Sequence, residues 1–288
     1  MKNTIQVSSV LLNDAGDDKY NVAQIVAEIV NISLMSAKDL LVETPSIIKE
    51  NISYEEADGI KSKLELTGAV VEIVTYNIEK KILTLLKILT IAMAYESEIE
   101  PDEIYQFIPN KVATNEIINQ IEENLGVNIP TDLKNIYLEE GNGIQYDEDS
   151  WSSDEHFQVY PLENIRNLYD FFETQCSYFD LSMHLNYSDE IMVEIENFSK
   201  SLFVYAVSNG EGNQFIDVFL FDREGRFYTI EYDHDEIFYY YESYLKDFYK
   251  NNKSYILFEF LYGYIKNMAK KCLDYQDISI ESIIADVV

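Results

Sequence analysis

The sequence predicts an α+β protein of more than one domain, and three observations carry that reading. Its 288 residues suffice for about two domains of roughly 100 to 200 residues each. Helix-period and strand-period apolar patterns both occur, the strands clustering at the two ends of an N-terminal block and again after Ser201. Apolar residues make up 47% of the chain, which excludes a disordered acidic tail despite a net charge of −31, because such a tail lacks the apolar surface to offset its ordering entropy.

The elements follow in order. Residues 5–12 read as a strand, and the polar run 13–18 as a turn. Val22, Ile25, Val26, Ile29 and Val30 then share one helical face. Ser33 is the expected N-cap of a second helix with Ala37, Leu40 and Leu41 facing inward. After a short apolar segment at Ile47 and Ile48, Ser53 and Glu56 have capping-box spacing for a third helix, and Gly68 stands at its C-terminal end. Residues 70–74 close the block as a strand, giving β-α-α-β-α-β within residues 1–75.

Residues 76–113 read as a helical connector. Their apolar run 82–94 is too short to cross a bilayer and is broken by Lys87, so it predicts a buried helix. The third region, 114–288, opens with Ile117, Ile118, Ile121 and Leu125 on one helical face, stopped by Gly126. A second helix begins at Ile129-Pro130-Thr131-Asp132 with Leu133, Ile136 and Tyr137 inward, and Asn142-Gly143 ends the pair. Strands are expected at 202–207, 215–221 and 226–232, linked by the Gly-containing turns 209–213 and 222–225 into an antiparallel meander. From Asp235 the helical pattern returns, with Ile237, Tyr241, Tyr244, Leu245 and Phe248 on one face, and a Ser254-led helix runs to about residue 274.

The charge is unevenly placed. Residues 114–235 hold 5 basic and 26 acidic side chains, so they carry two thirds of the net negative charge. That balance disfavours direct binding to nucleic acid or an anionic membrane. Two readings of it stand: a heavily solvated surface, or one that steers and binds a cationic protein. The densest run, Asp147-Glu148-Asp149-Ser150-Trp151-Ser152-Ser153-Asp154-Glu155-His156, fails EF-hand spacing, having neither the sixth-position glycine nor the twelfth-position glutamate. Trp151, the single tryptophan, suits either a contact hot spot or a core position as the loop folds back.

Catalytic patterns fare poorly. His156, His184 and His234 are far apart and none pairs with a Ser or Cys; the cluster Asp233-His234-Asp235-Glu236 is explained at least as well by helix capping. Gly210-Glu211-Gly212 is turn chemistry rather than a dinucleotide fingerprint, and no phosphate-binding Gly-Lys-Ser/Thr segment exists. Cys176 and Cys272 read as buried, reduced thiols. The aromatics between Phe238 and Tyr264 read as core packing, with an exposed partner patch as the alternative. No metal, cofactor or small-molecule substrate is expected, nor enzyme activity. Met1-Lys2-Asn3-Thr4 runs into a strand pattern without a signal-peptide core, which predicts a cytoplasmic protein.

Two resemblances add to this. Residues 4–75 resemble the C-terminal domain of the bacterial ribosomal stalk protein through Val10-Leu11-Leu12, Ala37-Lys38-Asp39-Leu40-Leu41-Val42-Glu43, Ile48-Lys49-Glu50, Glu55-Glu56-Ala57 and Gly68-Ala69-Val70-Val71-Glu72-Ile73. In that family the domain recruits translational GTPases through basic helix residues. Lys19 and Lys38 match, whereas Gln24 and Ala27 stand at two further basic positions and Asn31 and Ser33 replace glycines. Residues 114–250 look like the SUKH (Smi/Knr-like) superfamily, on Ile118, Ile121-Glu122, Leu125-Gly126-Val127, Ile129-Pro130, Leu133-Lys134, Asn142-Gly143 and the two later strands ending in Tyr232-Asp233-His234-Asp235.

The second resemblance implies an immunity protein that binds and neutralises a toxin, very often a nuclease. Joined to the charge, it predicts a basic protein toxin as partner, contacted by Asp147, Glu148, Asp149, Trp151, Asp154 and Glu155. The alternative is an adaptor that docks the stalk-like domain on a translation factor.

Overall fold

The computed structural model describes residues 4–42, 44–98, 107–146, 156–175, 188–209, 215–233, 247–273, 276 and 278–287. The chain divides into two compact units, residues 1–80 with 284–288, and residues 81–283. Both mix helices with antiparallel sheet, so the protein is α+β.

The first unit runs β1 (Thr4–Asp14), α1 (Lys19–Val30), α2 (Leu34–Leu40), β2 (Ser46–Ile52), α3 (Tyr54–Glu65) and β3 (Val70–Glu79). The sheet order is β2-β1-β3, antiparallel throughout. Helix starts follow the expected caps: Ser33 Oγ accepts the Ser36 N–H at 3.1 Å, and Ser53 Oγ the Glu56 N–H at 3.1 Å. The capping box at Ser53 is only half made, because the Glu56 carboxylate turns to Lys49 Nζ at 2.7 Å. The predicted core residues Val22, Val26, Ala37, Leu41 and Ile48 are buried, together with Ala57 and Leu64 of α3, beneath Val10, Leu12 and Val71 of the sheet. β3 is longer than its apolar signal because β1 keeps pairing with it out to Thr4↔Glu79. Gly16 has φ +65°, and a Cβ there would lie 2.5 Å from the Gly68 carbonyl oxygen, so this turn requires glycine.

The second unit contains α4 (Ile82–Ser97), β4 (Phe107–Pro109), α5 (Asn115–Leu125), α6 (Thr131–Asn135) continuing as a π-helical turn (Ile136–Glu140), β5 (Ile144–Tyr146), β6 (His156–Val159) and β7 (Arg166–Asn167). It continues with α7 (Leu168–Gln175), α8 (Asp189–Ser199), β8 (Leu202–Asn209), β9 (Phe215–Asp222), β10 (Phe227–Asp233), α9 (Phe248–Asn251) and α10 (Leu257–Cys272). Helix α11 (Ile280–Val287) ends the described chain. The sheet order is β10-β9-β8-β6-β5-β4, with β7 also on β8. The expected meander β8-β9-β10 is present, but four strands escaped the sequence reading. Each is two to four residues long, shorter than one readable alternation.

This sheet is covered on both faces, which explains why its central strands read as unbroken apolar runs. Leu202, Val204, Val218, Leu220, Tyr228 and Ile230 pack with Leu168, Phe171 and Phe172 of α7, Ile195 of α8 and Phe248 of α9. On the other face Phe219 meets Phe260 and Tyr264 of α10 at 6.1 and 5.0 Å between ring centroids, and Tyr255 stacks on Phe227. Among the described aromatics of this stretch, Phe248, Phe258 and Tyr262 are buried and Tyr255, Phe260 and Tyr264 half-buried, as expected, whereas Tyr249 is exposed. Helix α10 starts at Leu257 without a side-chain cap, so Ser254 does not begin it. It packs against α4, whose Leu85, Leu86, Leu89 and Met93 are buried while Lys87 stays exposed.

Candidate interaction surface

The six residues predicted to touch the toxin, Asp147, Glu148, Asp149, Trp151, Asp154 and Glu155, lie outside the described residues, as do Cys176, His184, His234, the turn at 210–214 and the helical pattern 235–246. The frame on either side of 147–155 is described. β5 ends at Tyr146, β6 begins at His156, and the two strands pair antiparallel at Ile144↔Val159.

The residues of the SUKH-like pattern turn out to be folding hardware. Thr114 Oγ1 caps α5 at the Ile117 N–H, and Gly126 ends it with φ +64°. The Glu122 carboxylate then accepts the Ile129 N–H at 2.6 Å and Lys134 Nζ at 2.7 Å, clamping the turn between α5 and α6. Arg223 donates to the Gly126 carbonyl at 3.2 Å, which ties the β9–β10 turn to the same corner. That turn is organised by Asp222, 1% exposed. Its carboxylate accepts the N–H groups of Glu224 and Arg226 at 3.0 and 2.9 Å and Arg226 Nε at 2.7 Å. The π-helical turn delivers Glu140 to the start of α4, where it accepts the Ile82 and Leu83 N–H groups at 3.0 and 2.9 Å. Helix α4 has no capping side chain at Lys81, so a carboxylate 57 residues away does that task. Burial raises the Glu140 pKa, against the opposing pull of the two N–H groups and Lys81.

Solvent-facing carboxylates are a different set. Asp170 and Glu173 on α7, and Asp189, Glu190 and Glu194 on α8, are all exposed, while the opposite sides of both helices enter the core through Phe171, Phe172 and Ile195. Nearby, Lys200 is held by Glu196 and lies 5.0 Å from the Tyr169 ring centroid. Sequence reading counted these acids in bulk without singling them out; their placement opposite a helical apolar stripe was the available signal. Among the described residues, no three His, Cys, Asp or Glu side chains are grouped to hold a metal ion.

In the first unit, Tyr20 of α1 and Met35 of α2 are 54% and 77% exposed, and Lys38 Nζ lies 5.5 Å over the Tyr20 ring. Between α1, β2 and α3 runs a groove of about 400 Å³, lined by Glu28, Ile29, Lys49, Glu56, Gly59, Ile60 and Lys63.

Both parts of the chain are similar to known families. Two family models match it. Residues 8–74 match the ribosomal protein L7/L12 C-terminal domain, and residues 112–251 match the SMI1 / KNR4 family (SUKH-1). Among curated proteins, the large ribosomal subunit protein bL12 of Dictyoglomus thermophilum is 53% identical over 64 residues, covering 22% of this chain and 51% of that protein. The bL12 of Moorella thermoacetica is 52% identical over 64 residues, covering 22% and 51%. That of Geobacillus kaustophilus is 53% identical over 64 residues, covering 22% and 52%. The chain thus spans about half the length of these relatives, all on the stalk-like side. The SUKH-1 match takes in the Glu122 clamp, the Glu140 cap, the strand frame around 147–155 and the acidic helices α7 and α8.

Proposed function

We propose that this protein is a cytoplasmic immunity protein that binds and neutralises a basic protein toxin, a nuclease, and acts by occlusion rather than by catalysis. The observation that carries the reading is the coincidence of the SUKH-1 match at 112–251 with the segment 114–235, where 26 acidic residues face 5 basic ones. Nucleases must present Lys and Arg to grip phosphates, so a surface rich in carboxylates competes for that site and speeds encounter through long-range attraction. Asp147, Glu148, Asp149, Trp151, Asp154 and Glu155 remain the proposed first contact, with Asp170, Glu173, Asp189, Glu190 and Glu194 of the helix layer as a second acidic source.

The test is co-expression in a bacterial host with the C-terminal domain of whichever secreted protein the neighbouring gene is found to encode. Survival of cells carrying the full chain supports the reading, and killing despite soluble full chain overturns it. In vitro, reversing the charge of the 147–155 residues slows association by tenfold or more at low salt and flattens its salt dependence. Unchanged association kinetics would remove that stretch as the contact.

A second reading is favoured by the roughly half-identical bL12 match: an adaptor whose stalk-like unit docks on a translation factor. Gln24 and Ala27, standing where the stalk family has basic residues, oppose it. Robust capture of purified elongation factors by the full chain, abolished by Lys38→Glu, would favour the adaptor.

A further inference from the structure

We infer that the stalk-like unit is a decoy for bL12, and that the toxin is a nuclease which reaches the ribosome by touching bL12. This rests on the immunity reading above and names its partner more closely. A fold is specified mainly by its buried positions, while solvent-facing sites tolerate exchange at little cost in stability. Identity of 53% over 64 residues amounts to roughly 34 identical positions. Among the described residues, seventeen of those between 8 and 74 are buried. Even with every buried position identical, about half of the identities would fall on side chains that face solvent wholly or in part. Folding does not ask for that much likeness; a partner that reads the same surface does.

The groove between α1, β2 and α3 is a place on this unit where such a partner fits. Gly59 sits inside α3, where glycine weakens a helix relative to alanine. No atom lies within 4 Å of the Cβ it lacks, so packing within the protein does not call for it. An approaching chain would. Glu28 on the α1 wall and Lys63 on the α3 wall make no hydrogen bond or ion pair among the described residues, leaving one charge of each sign free across an apolar floor of Ile29 and Ile60. They fit a protein segment that brings a cation and a carboxylate to the two walls.

The test immobilises the full chain and measures capture of the nuclease domain used in the co-expression assay, with and without excess whole bL12 from Geobacillus kaustophilus. The expected result is at least a tenfold drop in capture when bL12 is present. Gly59→Leu, which fills open space and removes a helix-weakening glycine, should weaken capture tenfold without lowering the thermal melt, and the double variant Glu28→Lys with Lys63→Glu, on solvent-facing side chains, should do the same. Failure of bL12 to compete overturns the decoy while leaving the immunity reading intact, because charge reversal in the second unit would still weaken binding. Competition by bL12 with unaltered capture by both variants overturns the groove as the contact. Absence of any capture by the unaltered chain overturns both readings.

Discussion

Asp222 shows how much one side chain decides in this protein. It is buried at the end of β9, and three donors from Glu224 and Arg226 converge on its carboxylate. Burial, then the Asp222 charge, push the neighbouring Tyr228 hydroxyl up to about 12. Asp222→Ala removes the buried acceptor that these part-buried donors share. It should lower unfolding free energy by about 2 to 4 kcal/mol, read from urea denaturation. Glu140 makes a second case, through pH. Its folded-state pKa is raised, so the folded protein takes up a proton before the unfolded chain does near 4.5. The ionised group therefore costs stability at neutral pH, and the cost is relieved as pH falls through the raised value. Relative to Glu140→Gln, the unaltered protein should gain stability between pH 7 and 4.5; a flat difference across that range would contradict this sign. Neither role was legible beforehand. Asp222 read only as part of a turn, and Glu140 as one acid among many, because their partners come from a folded turn and from a helix 57 residues away.

Local elements were legible where a residue's own neighbours in sequence decide them. Ser33 and Ser53 cap helices because their partners stand three residues on, and Gly126 ends α5 because only a left-handed residue can turn there. The short strands β4 to β7 were not legible, since they exist through pairing with distant chain rather than through a pattern of their own. Gly16 belongs between the two cases. It reads as an ordinary turn glycine, yet its lack of a side chain is demanded by the Gly68 carbonyl of another loop. Gly16→Ala meets both a positive φ and a backbone contact, so it should destabilise the protein by about 2 kcal/mol, visible as a lower midpoint in urea.

For the molecule as a whole, charge is the property that composition states and architecture spends. A net −31 opposes compaction by self-repulsion, which dissolved salt screens within about 10 Å at 0.1 M. Raising sodium chloride from about 0.01 to 0.15 M should therefore raise the melting temperature, while association with a cationic nuclease slows over the same range. A melting temperature that falls with salt would show attraction, not repulsion, to dominate the surface. The amino-acid sequence by itself determined the α+β class, the caps at Ser33 and Ser53, the buried character of α4 and the core packing of most described C-terminal aromatics, and the two family resemblances, because each follows from short-range spacing or local composition. The tertiary structure alone decided that Glu122, Glu140 and Asp222 are clamps, that the second sheet is covered on both faces, and that Asp170, Glu173, Asp189, Glu190 and Glu194 face solvent. The physical reason is that a carboxylate's role depends on which donors and how much water surround it, and those are brought together only when distant parts of the chain pack.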